Sequence, residues 1–263
     1  MKKSVYLIIL AVVTIFCIIF GAFINLRFAG RGFNKVKKAI TKSIEDGFDY
    51  DSDTDIKFDD DFEDILDDDD DYDENTIGFD SKTLEAFDQL VIDASVLGVI
   101  VERGTSYSIT AKYNNSRLKP EYSLKDGRLY ITQRVKRRNF VGNNTSKVVV
   151  TVPYNTSLDK IDIDIDVGAV EMSGFDVDNA TIRTDVGAVA VSKLDFKDLV
   201  IKSDVGAVAV ELLEDVTKYD ISAKSDVGGI QVDNASVKRR YSNEGTNGKK
   251  LRINTNVGGI EIK

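Results

Sequence analysis

A short phrase of alternating apolar and polar residues recurs along the C-terminal half of the chain. Its copies read Asp-Val-Gly-Ala-Val or a close variant, and they start at Asp166, Asp185, Asp204, Asp226 and Asn256. A degenerate copy spans residues 95–101. The five starts are 19, 19, 22 and 30 residues apart. A repeated unit with the composition of a strand is typical of stacked β units that share one core.

The residues before each glycine alternate strictly. Ile161, Ile163 and Ile165 face one side and the intervening aspartates face the other, which is the period of a half-buried strand. After the glycine the phase shifts, because the step from Val167 to Val170 is odd. We therefore predict a corner at each of five glycines, Gly168, Gly187, Gly206, Gly228 and Gly258. Glycine suits a corner because it tolerates unusual backbone angles.

These patterns predict an all-β fold, a right-handed β-solenoid-like stack of short strands preceded by one transmembrane helix. Each repeat is expected to be two short strands joined at the glycine, with successive repeats about 4.8 Å apart. Val and Ile form the inner column. A second inward column is expected to hydrogen-bond along the stack, and it consists of Thr184, Ser203, Ser225 and Thr255.

An outward ladder of acidic residues accompanies the corners, and it consists of Asp166, Asp185, Asp204, Asp226 and Asn256. Two interpretations compete. Calcium could offset the repulsion within such a ladder, but Asp beside a glycine corner commonly caps its own backbone. Asn256 would keep that hydrogen bond without the charge, which favours capping. We therefore predict no metal site and no cofactor.

The segment 84–158 is also predicted to be rich in strands. The expected strands are 90–93, 99–102, 107–113, a hairpin over 122–132 that turns at Asp126-Gly127, and 147–152, which ends at Pro153. Asp-Gly between alternating runs is a strong hairpin signal.

The N-terminus predicts a membrane anchor. Residues 1–3 form a short tail, and residues 4–26 are uncharged and long enough to cross a bilayer as a helix. The run exceeds an ordinary signal-peptide core and has no small-residue cleavage site, so we expect an uncleaved signal-anchor. Cys17, the only cysteine, lies within the run and follows the bulky Phe16, which argues against a lipoprotein.

The charges around the anchor give conflicting indications of its orientation. More basic residues follow the run than precede it, which by the positive-inside rule places the β domain in the cytoplasm. Basic residues beside a membrane also bind anionic lipid, and residues 27–44 combine lysines with apolar residues at helical spacing. We predict that residues 4–44 contact lipid, and that this single-pass protein of the cell membrane carries its β domain outside the cytoplasm.

An acidic spacer follows at residues 45–78. Residues 45–74 hold eighteen Asp and Glu and one Lys, a composition that repels itself and predicts an extended linker. Asp51, Asp53 and Asp55 match the start of an EF-hand loop, but Ile56 and Phe62 stand where glycine and glutamate are needed. The remaining residues, 79–263, are the predicted β-strand-repeat domain.

Composition limits the possible chemistry. The chain has no His and one Cys, which excludes the usual Ser-His-Asp and Cys-His nucleophiles and Cys/His metal sites. The basic clusters 134–138 and 238–240 lie in a domain with balanced charge, so nucleic-acid binding is not expected. A contact between the acidic linker and these clusters is one hypothesis.

The order of these features resembles the bacterial putative-adhesin or toast-rack β-strand-repeat family, of the domain of unknown function 4097 type. The residues that carry the resemblance are the strand 87–93 leading into 95–101, the hairpin, the strand 148–153, and the Asp-Val-Gly-Ala-Val phrases. The resemblance covers roughly 84–263 and implies a β-solenoid-like fold behind a membrane helix, with no catalytic residues.

We therefore predict a non-catalytic, membrane-anchored interaction or scaffold module of the cell envelope, adhesin-like or accessory to an envelope-stress response. Its partner would be a protein or a cell-wall polymer. One alternative is a polymer-acting β-helix enzyme that uses a carboxylate pair drawn from Asp164, Asp166 and Glu171. Another is a cytoplasmic-facing regulator of a membrane partner.

Overall fold

One sixteen-stranded sheet and two 3-10 helices make up the described part of the chain. The structure is a computed structural model that describes residues 78–135, 145–233 and 235–263. The 3-10 helices are Ser116–Leu118 and Val216–Lys218. The strands are β1 (Gly78–Thr83), β2 (Gln89–Gly104), β3 (Ser108–Tyr113), β4 (Glu121–Lys125), β5 (Arg128–Gln133), β6 (Ser146–Pro153), β7 (Ser157–Ser173), β8 (Asp176–Ser192), β9 (Asp195–Val205), β10 (Val208–Glu211), β11 (Asp220–Val227), β12 (Ile230–Val232), β13 (Ala235–Val237), β14 (Arg240–Asn243), β15 (Lys250–Val257) and β16 (Ile260–Ile262).

Solenoid turns of equal length, each formed by one repeat and called a coil below, form the middle of the sheet. β7 and β8 pair in parallel, with Ser157 beside Asp176 and Ser173 beside Ser192, so each residue lies next to one 19 positions later. The coil closes at Gly174 and Phe175, where Gly174 has a φ of 74° and Phe175 is buried. The predicted all-β stack with this period is confirmed. β7 and β8 run through their corner glycines as continuous strands, whereas the later coils break there.

The coils do not stack in the order of the sequence. β9 and β10 pair on one side with β8 and on the other with β15 and β16. β15 and β16 then pair with β11 and β12, which come earlier in the chain. The last copy of the repeat therefore lies between the third and the fourth. The prediction that successive repeats are neighbours is wrong at this point, because the chain turns back after β12 and inserts β15 into the stack.

Antiparallel strands cover both ends of the parallel stack. At one end β4 and β5 form the predicted hairpin, with Asp126 and Gly127 both at positive φ (51° and 73°). The strands β6, β3 and β1 extend the same end beyond β2. At the other end β13 and β14 pair antiparallel with β12 and β11. The predicted strands of the segment 84–158 are thus confirmed, except that 90–93 and 99–102 belong to one continuous strand, β2.

The interior of the coils is filled with apolar side chains. Ile161, Ile163 and Ile165 are fully buried, as are their partners on the neighbouring coils. Burying a side chain of this size stabilises the fold by about 1.5–3 kcal/mol. The corner valines are an exception to the predicted inward set, since Val167 is only half-buried and Val227 is 64% exposed. These valines are therefore not part of the buried core.

The predicted tail (1–3), anchor (4–26), basic segment (27–44) and nearly all of the acidic linker (45–78) lie outside the described residues. Among the residues that are described, no helix is long and apolar enough to cross a membrane.

Candidate functional site

The five corner glycines form one continuous file through the stack. A Cβ on Gly187 would lie 1.7 Å from the carbonyl oxygen of Gly168, and a Cβ on Gly206 would lie 1.5 Å from that of Gly187. The same holds for Gly258 against Gly206 and for Gly228 against Gly258. Each glycine is therefore required because the carbonyl of the preceding coil occupies the place of its side chain.

This contact differs from the reason inferred from the sequence. Of the five corner glycines only Gly228 and Gly258 have positive φ, at 150° and 154°. The other three are fixed by close approach alone. The contact also explains the degenerate copy, in which Leu97 stands at the glycine position opposite Gly168. The strand next to β2 is interrupted at this point, because β5 pairs with β2 only up to Ala94 and β6 pairs with it only from Gly98 onward. No corner carbonyl of a preceding coil therefore lies against Leu97.

The outward ladder follows the spatial order of the coils. Its members run Asp166, Asp185, Asp204, Asn256, Asp226, and all are exposed. Asn256 lies between two aspartates and donates from Nδ2 to Oδ1 of Asp204 at 2.9 Å. The single uncharged member thus interrupts the row of carboxylates inside the stack and not at its end.

The electrostatics of the ladder show repulsion between its carboxylates. Partial burial raises the pKa of Asp185, and the charges of Asp166 and Asp204 raise it further. The hydrogen bonds of the described residues include none from a ladder side chain to its own backbone, so the predicted capping is not observed. Within the same residues no three acidic side chains are placed to hold a metal ion.

The inner hydroxyl column lies where the alternation predicted, but it does not hydrogen-bond along its length. Ser225 donates from Oγ to the carbonyl oxygen of Gly258 at 2.8 Å. In the described part of the chain, the buried hydroxyls of Thr184, Ser203 and Thr255 have no partner. The predicted bonding is thus wrong for three of the four residues. Ser225 shows what a paired member does, which is to bind the corner carbonyl of the adjacent coil.

The carboxylates proposed as an enzymatic pair do not share one environment. Asp164 and Asp166 are exposed on the face before the corner. Glu171 lies after the corner and is only 6% exposed, between Ile100 and Ala190 on the adjacent strands. The expectation that Glu171 is an exposed outward acid is therefore wrong. Its side chain is covered by the strands on either side, β2 and β8.

Several charged groups on the outer face pair across adjacent strands. Arg183 contacts Asp162 at 2.8 Å, and Arg252 contacts both carboxylate oxygens of Asp198, the closer at 2.6 Å. Lys249 contacts Asp195 at 2.7 Å and lies 3.9 Å from Glu214, and the bond to Asp195 raises the pKa of Lys249. Such exposed pairs each contribute at most about 1 kcal/mol.

A basic column beside the ladder was missed by the sequence reasoning. Arg183, Lys202 and Lys224 each stand two residues before a ladder aspartate, and Arg240 extends the column onto β14. The constant spacing of two residues between these basic residues and the ladder aspartates could have been recognised in the sequence. The continuation into Arg240 depends on the antiparallel pairing of β11 with β14. Of the predicted cluster 134–138 only Arg134 and Val135 are described, and Arg134 contacts Asp93.

Comparison with known proteins agrees with this architecture. Residues 87–263 match the family model described as Toastrack DUF4097. The fold is similar to that of a putative cell adhesion protein from Clostridium sporogenes ATCC 15579, with 20% identity over 71% of this chain and 98% of that one and a TM-score of 0.57. A putative adhesin from Bacteroides fragilis NCTC 9343 aligns over 70% of this chain and 96% of its own at 16% identity, with a TM-score of 0.38.

At such identities the likeness to solved structures shows the fold alone. No curated protein matches the chain in sequence. The family model, however, covers most of the chain and all but the first strand of the described sheet. The chain therefore belongs to the Toastrack DUF4097 family.

Proposed function

We propose that this chain is a non-catalytic, membrane-anchored interaction module of a bacterial cell envelope. Residues 4–26 are the anchor, residues 27–44 lie against anionic lipid, and residues 45–78 are a spacer. The β domain provides the binding surface for a protein or a cell-wall polymer. No step of a reaction is assigned to it.

The observation that carries the proposal is the distribution of polar chemistry over the described residues. The interior is filled with apolar side chains, and most charged groups lie exposed on the surface, where several pair with a neighbouring strand. Acid–base catalysis needs two groups whose environments separate their pKa values. Rows of exposed charges instead suit recognition of an extended partner.

The described role of a similar protein points the same way. The Clostridium sporogenes protein of the same fold is named as a putative cell adhesion protein. An adhesin-like role for this chain is consistent with a long regular surface held away from a membrane. Accessory action in an envelope-stress response is a narrower form of the same proposal.

The proposal is tested by the sidedness of the β domain. Ser81 is exposed on β1, so a Cys17→Ser, Ser81→Cys variant of the full chain accepts a membrane-impermeant maleimide. Labelling of intact cells is the expected result. Labelling only after lysis would contradict it and would favour a cytoplasmic regulator of a membrane partner.

A second test addresses catalysis. Asp166→Asn and Glu171→Gln remove the carboxylates that an enzyme of this architecture would use. Binding of isolated cell-wall material by the full chain is expected to survive both substitutions. Release of soluble saccharide by the unmodified chain, lost in either variant, would contradict the proposal.

A further inference from the structure

Four basic residues gather where the stack ends, and together we call them the basic cap. They are Lys224, Lys238, Arg239 and Arg240. Lys224 on β11 lies directly opposite Arg240 on β14, and the carbonyl oxygen of Arg239 accepts a hydrogen bond from the backbone of Ser225 at 3.0 Å. The turn between β13 and β14 is therefore held firmly against β11.

The charges of the basic cap are poorly compensated. Like charges at directly opposed positions of an antiparallel pair are destabilising. Lys224 contacts Asp226 at 2.7 Å, but Lys238, Arg239 and Arg240 form no ion pair among the described residues. Bonding from Lys224, with the charges of Arg240 and Arg239, holds the pKa of Asp226 below its ordinary value. The carboxylate of Asp226 thus faces three of the four cations, Lys224, Arg239 and Arg240.

We propose that the basic cap binds the acidic run Asp49–Asp64 of the same chain. The segment 45–74 carries a net charge of −17, from eighteen acidic residues and Lys57, and it lies outside the described residues. Its charge complements the basic cap. Covalent attachment supplies this partner at an effective concentration in the millimolar range, which an unlinked anion must exceed to compete.

The length of the chain decides which acidic residues can reach the basic cap. Gly78 begins β1 at the opposite end of the sheet, nine strand spacings from β14, which is about 43 Å. The 14 residues from Asp64 to Gly78 span up to about 46 Å when extended. The 11 residues from Asp67 to Gly78 span only about 36 Å. Asp64 and the acidic residues before it therefore reach the basic cap, whereas the run Asp67–Asp71 does not.

Such a contact folds the spacer back along the stack. The contact between the basic cap and the acidic run is expected to weaken as salt is added, because the basic residues are exposed. Surface charges are screened over about 10 Å at moderate ionic strength. Low salt then holds the β domain close to residue 45, and high salt releases it. The acidic spacer thereby becomes an adjustable tether.

Energy transfer within the full chain tests the contact. A Cys17→Ser background carries Ser52→Cys in the acidic run and Ser236→Cys on β13, labelled with a donor and an acceptor, in zwitterionic detergent micelles. Transfer efficiency is expected to be at least about twofold higher at about 20 mM salt than at about 500 mM, since screening grows with ionic strength. Lys238→Glu, Arg239→Glu and Arg240→Glu together should abolish the low-salt increase.

Matched variants separate this contact from general charge effects. Lys82→Glu, Lys119→Glu and Lys125→Glu make the same charge change on exposed residues at the other end of the sheet and should leave transfer unchanged. Neutralising the acidic residues of the run 49–64 should abolish the increase, whereas neutralising Asp67–Asp71 should not.

If the triple variant of the basic cap and the triple variant at the other end of the sheet lost energy transfer equally, the proposal would be overturned. A low-salt increase in transfer that survives in the variant of the basic cap would also overturn it. Absence of any salt-dependent transfer, with the probe at position 236 shielded only when phosphatidylglycerol is added, would overturn it in favour of a lipid surface.

Discussion

Asn256 donates a hydrogen bond to Asp204 at 2.9 Å across 52 residues of sequence. The bond exists because β15 inserts between β9 and β11 and not beyond β11. It places an uncharged residue between Asp204 and Asp226 in the outward ladder. Asn256 therefore separates the carboxylates of Asp204 and Asp226, whereas Asp185 keeps its charge between Asp166 and Asp204.

Asn256→Asp is expected to destabilise the fold by about 0.5–1 kcal/mol at neutral pH, because it adds a like charge between two others. Asn254→Asp makes the same charge change two residues away, but it lies between Lys202 and Lys224. It should leave stability unchanged or increase it. Urea unfolding measures both, and equal effects of the two substitutions would argue against the observed order of the coils.

Gly228→Ala is expected to cost about 3 kcal/mol, since the new Cβ would lie 1.9 Å from the carbonyl oxygen of Gly258 and the residue has a φ of 150°. Gly229 provides the control, because a Cβ there meets no atom within 4 Å. Thermal unfolding compares the two variants. A similar loss in both would show that flexibility, and not close approach, selects glycine at the corner.

Asp185→Asn is expected to raise stability at neutral pH by about 0.5 kcal/mol, a small value because the group is exposed. Burial and the neighbouring aspartates raise the folded-state pKa of Asp185 above its ordinary 3.8, so the folded state holds this proton to higher pH than the unfolded chain does. The contribution of Asp185 to the free energy of unfolding is therefore greatest at pH values below the ordinary pKa of 3.8. It falls as the pH rises through the raised pKa of the folded state.

The gain from Asp185→Asn should thus vanish in acid, which denaturation at several pH values would show. Asp159→Asn removes an exposed aspartate outside the ladder and serves as its control. A gain for Asp185→Asn that persists well below the ordinary pKa would contradict repulsion as its cause.

Thr184→Val is expected to stabilise the fold by about 1 kcal/mol, because it replaces a buried hydroxyl that lacks a partner with a methyl group of the same shape. Ser225→Ala should cost about 1 kcal/mol, since it removes a made hydrogen bond to Gly258. Equilibrium unfolding compares the pair. A loss of stability in Thr184→Val would indicate that its hydroxyl is bonded after all, for example to an ordered water.

The repeat was readable from the sequence because its cause is local. Alternation at Ile161, Ile163 and Ile165 fixes which side of a strand is buried, and the odd step from Val167 to Val170 marks the bend. The hairpin at Asp126 and Gly127 is equally local, since the turn requires positive φ at both residues.

The outward ladder and inner hydroxyl column could likewise be placed from the phase of the strands, but their bonding could not. Whether Ser225 or Ser203 finds an acceptor depends on the carbonyl of the adjacent coil, about 4.8 Å away across the sheet. The burial of Glu171 has the same origin, because the residues that cover it belong to β2 and β8.

Sequence by itself therefore determined the strands, the period, the corners and the apolar core, because side-chain alternation and glycine placement act within a few residues. Only the tertiary structure decided which coils touch. The chain turns back after β12, so β15 pairs with strands 30 and 52 positions earlier in the sequence. That pairing sets Asn256 between two aspartates, and the pairing of β11 with β14 sets Lys224 against Arg240. Strand order depends on long-range hydrogen bonding that no local pattern encodes.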